Sequence, residues 1–123
     1  MTAVVRVVVA DDSPAFAGAC GELVAACDGF ELVGTAMSGE DAIERVLELR
    51  PDLVLLDVSM PGMGGVEAAS AIRRVAPQTA VVLLSADSPL SIGPGDDGAA
   101  VVSKGSLTRA TLRELWERSS TES

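Results

Sequence analysis

The sequence predicts an α/β domain: a doubly wound sandwich around a five-stranded parallel sheet, strand order 2-1-3-4-5. Three observations predict it. Short runs rich in Val, Leu, Ile and Ala alternate with stretches of helical periodicity along all 123 residues. Several runs are apolar without a break, which suits strands covered on both faces of a parallel sheet. Parallel strands joined by right-handed helical crossovers then give that order. The length fits one domain, placed at residues 1–118.

The first strand is Val4–Ala10, ending at Asp11-Asp12. Ser13-Pro14 opens the first helix, Pro14–Cys27, with a capping hydroxyl and a proline in the first turn. A second strand, Glu31–Ala36, leads to the helix Gly39–Leu49, whose apolar face is Ala42, Ile43, Val46 and Leu47. Leu53–Asp57 is the third strand, Gly64–Val75 the third helix, and Ala80–Leu84 the fourth strand. A fourth helix is due between Asp87 and Gly98, but Pro89, Gly93, Pro94, Gly95 and Gly98 oppose it, so it is expected to be shortened or missing. Ala99–Val102 and Thr108–Arg118 complete the pattern. In the last helix Trp116 joins Leu112 and Leu115 on an apolar set, which reads as core contact, with a surface offered to a partner or a second copy as the alternative. Residues 119–123 are polar and are expected to fray as a tail or the start of a linker.

Composition removes several classes of function. Net charge is −9, with eight scattered Arg, one Lys and three aromatic residues. A nucleic-acid binder needs cations for phosphates and rings for bases, so direct DNA or RNA binding by this domain is not expected. The same charge disfavours an anionic membrane surface. No stretch reaches the length of a membrane span, and the apolar start, broken by Arg6, does not read as a secretory leader. Cys20 and Cys27 fall on one face of the first predicted helix, about two turns apart and too far to bridge. They read as small buried apolar residues of a reduced, cytoplasmic protein. With no His and no third Cys, a zinc-type site is not expected.

Ligands of open parallel sheets bind at the carboxyl ends of the strands. There the predicted topology gathers Asp11 and Asp12 after the first strand, Asp57 at the end of the third, Ser85 after the fourth and Lys104 beyond the fifth. Each alone has a plain explanation: a helix cap, a turn residue, a solvated lysine. Their coincidence at one sheet edge, with the sole Lys among them, favours a shared site. Three close carboxylates repel one another and call for a cation, and an all-oxygen donor set suits Mg2+. Lys104 can pair with a phosphoryl oxygen, and Asp57 can act as a nucleophile forming an acyl phosphate.

The stretches Val7-Val8-Val9-Ala10-Asp11-Asp12-Ser13-Pro14, Pro51-Asp52-Leu53-Val54-Leu55-Leu56-Asp57-Val58-Ser59-Met60-Pro61-Gly62-Met63-Gly64-Gly65, Val81-Val82-Leu83-Leu84-Ser85-Ala86 and Ser103-Lys104 resemble the receiver domains of bacterial two-component response regulators. They are most similar to the receivers of LuxR-type helix-turn-helix regulators. The resemblance is dense over residues 4–86 and looser beyond. It implies a flavodoxin-like (CheY-like) fold and a phosphorylation-driven conformational switch. On it, Asp57 is the phosphoacceptor. Asp12, Asp57 and the backbone carbonyl of Ser59 ligate Mg2+, with Asp11 helping through water. Lys104 holds a phosphoryl oxygen, and the Ser85 hydroxyl moves to the phosphoryl group on activation. The implied partners are a histidine kinase or phosphotransfer protein as donor and a downstream output domain or protein, with a homodimer open. Catalysis is limited to the domain's own phosphorylation and dephosphorylation.

Some residues depart from the family pattern. Val101 stands where an aromatic is usual three positions before the Lys, Gly105 follows the Lys, and the segment from Ser85 to Lys104 is short. These departures support an alternative, a receiver-like interaction module not switched by phosphorylation. The intact set Asp11, Asp12, Asp57, Ser85 and Lys104 argues against it.

Overall fold

The structure, a computed structural model, describes residues 4–60, 62–85 and 100–121. Five strands, β1 (Val5–Ala10), β2 (Phe30–Ala36), β3 (Leu53–Asp57), β4 (Ala80–Ser85) and β5 (Ala100–Ser103), form one parallel sheet in the order β2-β1-β3-β4-β5. The helices among the described residues are α1 (Pro14–Ala26), α2 (Gly39–Leu49), α3 (Gly65–Val75) and α4 (Arg109–Thr121). Fold class and strand order are as the sequence predicts. The expected weak helix at 87–98 lies outside the described residues.

Alternation along the strands divides the core in two, because successive side chains leave opposite faces of a sheet. Val8, Val54, Leu56, Val81 and Leu83 pack with Ala42 and Val46 of α2 and Ala68, Ala69 and Ile72 of α3. Val7, Val9, Leu53, Leu55, Val82 and Leu84 pack with Cys20 and Val24 of α1 and Leu112 and Leu115 of α4. Trp116 is half-buried against this second cluster, in keeping with a core role. The apolar β3 is buried along its whole length, as its sequence requires.

Local chemistry sets the helix ends. The Ser13 hydroxyl accepts the Phe16 N–H at 3.3 Å, and Pro14 begins α1. The Ser38 hydroxyl accepts the Asp41 N–H at 3.1 Å at the start of α2. Arg50 closes α2 in the left-handed region, φ 51°, while Arg6 donates to the carbonyls of Leu49 (2.7 Å) and Arg50 (3.0 Å). Those bonds satisfy carbonyls that a helix end leaves open.

Strand bounds shift by at most one residue from expectation, with Ser85 and Ser103 closing β4 and β5, and two helix C-termini differ. Cys27 is not in α1 but caps it in extended conformation, its N–H donating to the Val24 carbonyl. Both cysteines are free and buried in the same cluster. The last helix continues past Arg118 through Ser119, Ser120 and Thr121, because a helix already docked by Leu112 and Leu115 can extend without further apolar residues. Among the described residues no helix is long and apolar enough to cross a membrane.

Candidate functional site

All five strands run the same way, so their carboxyl ends share one edge, and five of the six predicted site residues follow from that edge directly. Asp11 leaves β1 with its N–H on the Ala36 carbonyl at 3.0 Å. Its side chain is buried and fully engaged: Oδ1 accepts the Ser13 N–H at 2.8 Å, and Oδ2 takes the Lys104 ammonium at 2.8 Å. Asp12 is exposed beside it. Asp57 ends β3 and is buried. Its Oδ1 accepts the Ser59 N–H at 3.2 Å and lies 3.5 Å from Lys104 Nζ. Carboxylate oxygens of Asp11, Asp12 and Asp57 lie within 4.8 Å of one another.

Lys104 begins a single 3-10 turn, Lys104–Ser106, that follows β5 directly. Its position at the strand end lets the side chain reach back over the sheet edge to both buried carboxylates. Ser85 closes β4, buried, one residue beyond Leu84, which pairs in register with Asp57. Ser59 lies two residues past Asp57, exposed, and reaches the site through its backbone.

The loop after Asp57 is shaped by glycine. Gly62 has φ +72°, a conformation that side chains resist. Gly65 donates its N–H to the Val58 carbonyl at 3.0 Å, and a Cβ there would overlap the carbonyl oxygen of Asp57. Absence of that one carbon lets α3 start directly against the backbone of Asp57.

Burial pushes the Asp57 carboxyl above its usual range. The Ser59 N–H opposes that shift, the Asp11 charge adds to it, and Lys104 opposes it again. Burial alone would lower the Lys104 ammonium, but its hydrogen bond to Asp11 and the charges of Asp57 and Asp11 raise it instead. Lys104 is therefore a fixed cation. Three carboxylates against one ammonium leave the pocket acidic, and repulsion of this kind is relieved by a bound cation. The clustered donors are carboxylate oxygens, which fits a hard divalent ion such as Mg2+.

One contact was not legible in the sequence. The Phe16 ring, in the first turn of α1, lies 4.2 Å from Lys104 Nζ, measured to the ring centroid. The available signal was slight: a scarce aromatic, in a helix that starts directly after the acidic pair.

Comparison with known proteins bears on this geometry. The family model described as "Response regulator receiver domain" matches residues 7–93. The response regulator GacA of Pseudomonas viridiflava is 41% identical over 81 residues, covering 66% of this chain and 38% of GacA. The chain spans well under half the length of the curated relatives it matches. The structure of the signal receiver domain of a NarL response regulator from Mycobacterium tuberculosis has a TM-score of 0.79 at 34% identity, covering 92% of this chain and 97% of the other. A two-component response regulator of the LuxR family from Aurantimonas sp. has a TM-score of 0.80 at 25% identity, covering 91% of this chain and 81% of that one.

Proposed function

Because the chain belongs to the response regulator receiver family of two-component signalling, we propose that Asp57 is its phosphoacceptor and that the acidic pocket around it carries out Mg2+-dependent phosphoryl transfer from phosphohistidine. The observation that carries this reading is the Lys104 ammonium set between two buried carboxylates, 2.8 Å from Asp11 and 3.5 Å from Asp57. A fixed cation at that point meets the charge of an arriving phosphoryl group.

The chain has no His, so the donor imidazole comes from a partner, a histidine kinase or phosphotransfer protein. Asp57 Oδ1 accepts the Ser59 N–H and lies beside the Lys104 ammonium, and a carboxylate oxygen of Asp57 attacks phosphorus. The new O–P bond forms as the P–N bond breaks, and the electron pair of that bond stays on the imidazole nitrogen. The Ser59 N–H holds Asp57 in orientation for this attack. Lys104 moves the short distance from the carboxylates to a phosphoryl oxygen. Ser85, at the end of the adjacent strand, turns its hydroxyl to the phosphoryl group and so transmits the change. Mg2+, which Asp12, Asp57 and the Ser59 carbonyl would hold directly and Asp11 through water, would neutralise charge on the phosphoryl oxygens.

Phosphorylation adds charge and acceptor oxygens, and thereby shifts the population of loop conformers that an output domain or a second copy of the chain reads. The proposed receiver unit is residues 1–118, acting in the cytoplasm. Intact mass after incubation with Mg2+ and acetyl phosphate tests the reading. One added phosphoryl group is expected for the natural sequence and none for Asp57→Asn. No gain with acetyl phosphate, phosphoramidate or a kinase would replace this reading with that of a constitutive interaction module.

A further inference from the structure

Of the three aromatic side chains, the two phenylalanines each lie beneath a cation. Phe30 carries Arg113, whose guanidinium carbon is 5.6 Å from the ring centroid and whose Nη2 donates to the Asp28 carbonyl at 2.6 Å. That pair ties α4 to the turn before β2. Phe16 carries the chain's only lysine at 4.2 Å. A cation within about 6 Å of a ring face is attracted by the ring quadrupole, and more strongly where water is excluded. The Lys104 side chain is only 19% exposed, so this contact is of the stronger kind.

The contact closes a cycle. Asp11 Oδ1 accepts the Ser13 N–H, and the Ser13 hydroxyl accepts the Phe16 N–H. The Phe16 ring faces the Lys104 ammonium, which returns to Asp11 Oδ2. Each member thus fixes the next, and the ammonium is the member that faces Asp57.

We propose that Phe16 is a positioning residue for phosphoryl transfer: its ring face holds the Lys104 ammonium between Asp11 and Asp57. The inference rests on the reading of Asp57 as phosphoacceptor and adds a residue that never touches the phosphoryl group. The chemistry of the ring suits the task. Another carboxylate in its place would hold the ammonium but also neutralise it. A quadrupole holds the cation and leaves its net charge available to a phosphoryl oxygen. The ring also covers one side of the ammonium, so a long flexible side chain has fewer positions to sample before transfer.

The test combines one spectrum with one double-mutant cycle. Protein labelled with 13C-lysine gives a single lysine side-chain signal set. Its ε-methylene protons are expected upfield in the natural sequence and in Phe16→Tyr, and unshifted in Phe16→Leu. With Mg2+ and acetyl phosphate, Phe16→Leu is expected to slow the gain of mass about threefold to tenfold, while Phe16→Tyr stays close to the natural rate. In a Lys104→Met background, Phe16→Leu is expected to have no further effect, because the group it positions is gone. Phe16→Met replaces Phe16→Leu if the latter does not fold. A natural rate for Phe16→Leu, or an equal slowing in the Lys104→Met background, overturns the positioning role and leaves the phosphoacceptor reading standing. If the natural sequence gains no phosphoryl group, the phosphoacceptor reading and this inference fall together, even with the lysine signal upfield.

Discussion

A single hydrogen atom in place of a methyl group governs the approach of α3 to Asp57. Gly65→Ala puts a carbon into the Asp57 carbonyl oxygen, and backbone must shift to admit it. The expected cost is about 1–3 kcal/mol in a urea titration, with slower phosphorylation because the shift falls on the backbone of Asp57, the proposed phosphoacceptor. A natural phosphorylation rate in this variant would mean that the carboxylate does not depend on that packing. Cys20 makes a second residue-level prediction. Burial, helped by the Asp11 charge, pushes its thiol from 9.0 up to about 11. Below pH 9 the thiol is protonated whether the chain is folded or not, and it adds no slope. Above pH 9 the unfolded chain loses this proton first, so stability declines and levels off past about pH 11. By about pH 10.5 the loss is about 2 kcal/mol. Urea titrations at pH 8 and pH 10.5 should show that decline in the natural sequence and a smaller one in Cys20→Ala. Equal slopes would remove Cys20 from the account.

At the scale of elements, strand ends were readable and helix ends less so. The acidic residues stop apolar runs at the sheet edge, so Asp11 and Asp57 could be placed from the sequence alone, and Lys104 followed because it is the only lysine. Cys27 misled because an apolar residue at helical spacing looks the same inside a helix and one residue past it. The Ser-Ser-Thr extension of α4 carries no apolar signal, and its helicity derives from docking upstream. Phe16 was invisible as a partner of Lys104 because that contact joins the first helix to the turn after the last strand, and only the folded topology brings the two together. Arg50 shows an element end under mild strain. It holds φ 51° at the close of α2 with its side chain exposed. Arg50→Gly keeps the carbonyl that Arg6 binds and removes the Cβ conflict. Stability is expected to rise by about 0.5–1 kcal/mol in a urea titration, and a fall would show that the Arg50 side chain has a compensating contact.

For the whole molecule, charge dominates. The chain carries net charge −9 and concentrates three carboxylates at one edge. A ligand that binds only the folded state raises stability by mass action. Millimolar Mg2+ is therefore expected to raise the melting temperature of the natural sequence beyond the effect of equal ionic strength in NaCl. In Asp57→Asn, which lacks one donor and some of the repulsion, that difference should shrink. An equal rise in both proteins would trace to general screening instead.

The carboxylates stand on strands whose side chains are packed on both faces, with β1 and β3 interior to the sheet on either side. Backbone amides in such a position exchange with solvent deuterium only when the whole domain opens. The floor of the pocket is thus expected to exchange slowly, and to stay closed when the proposed phosphoryl transfer occurs. The Ser59 amide is different: it belongs to an exposed residue and is bonded to the Asp57 carboxylate itself. Its exchange rate becomes a single-residue gauge of the Asp57 carboxylate, expected to change on formation of the proposed acyl phosphate while Leu53 to Leu56 beneath it stay protected.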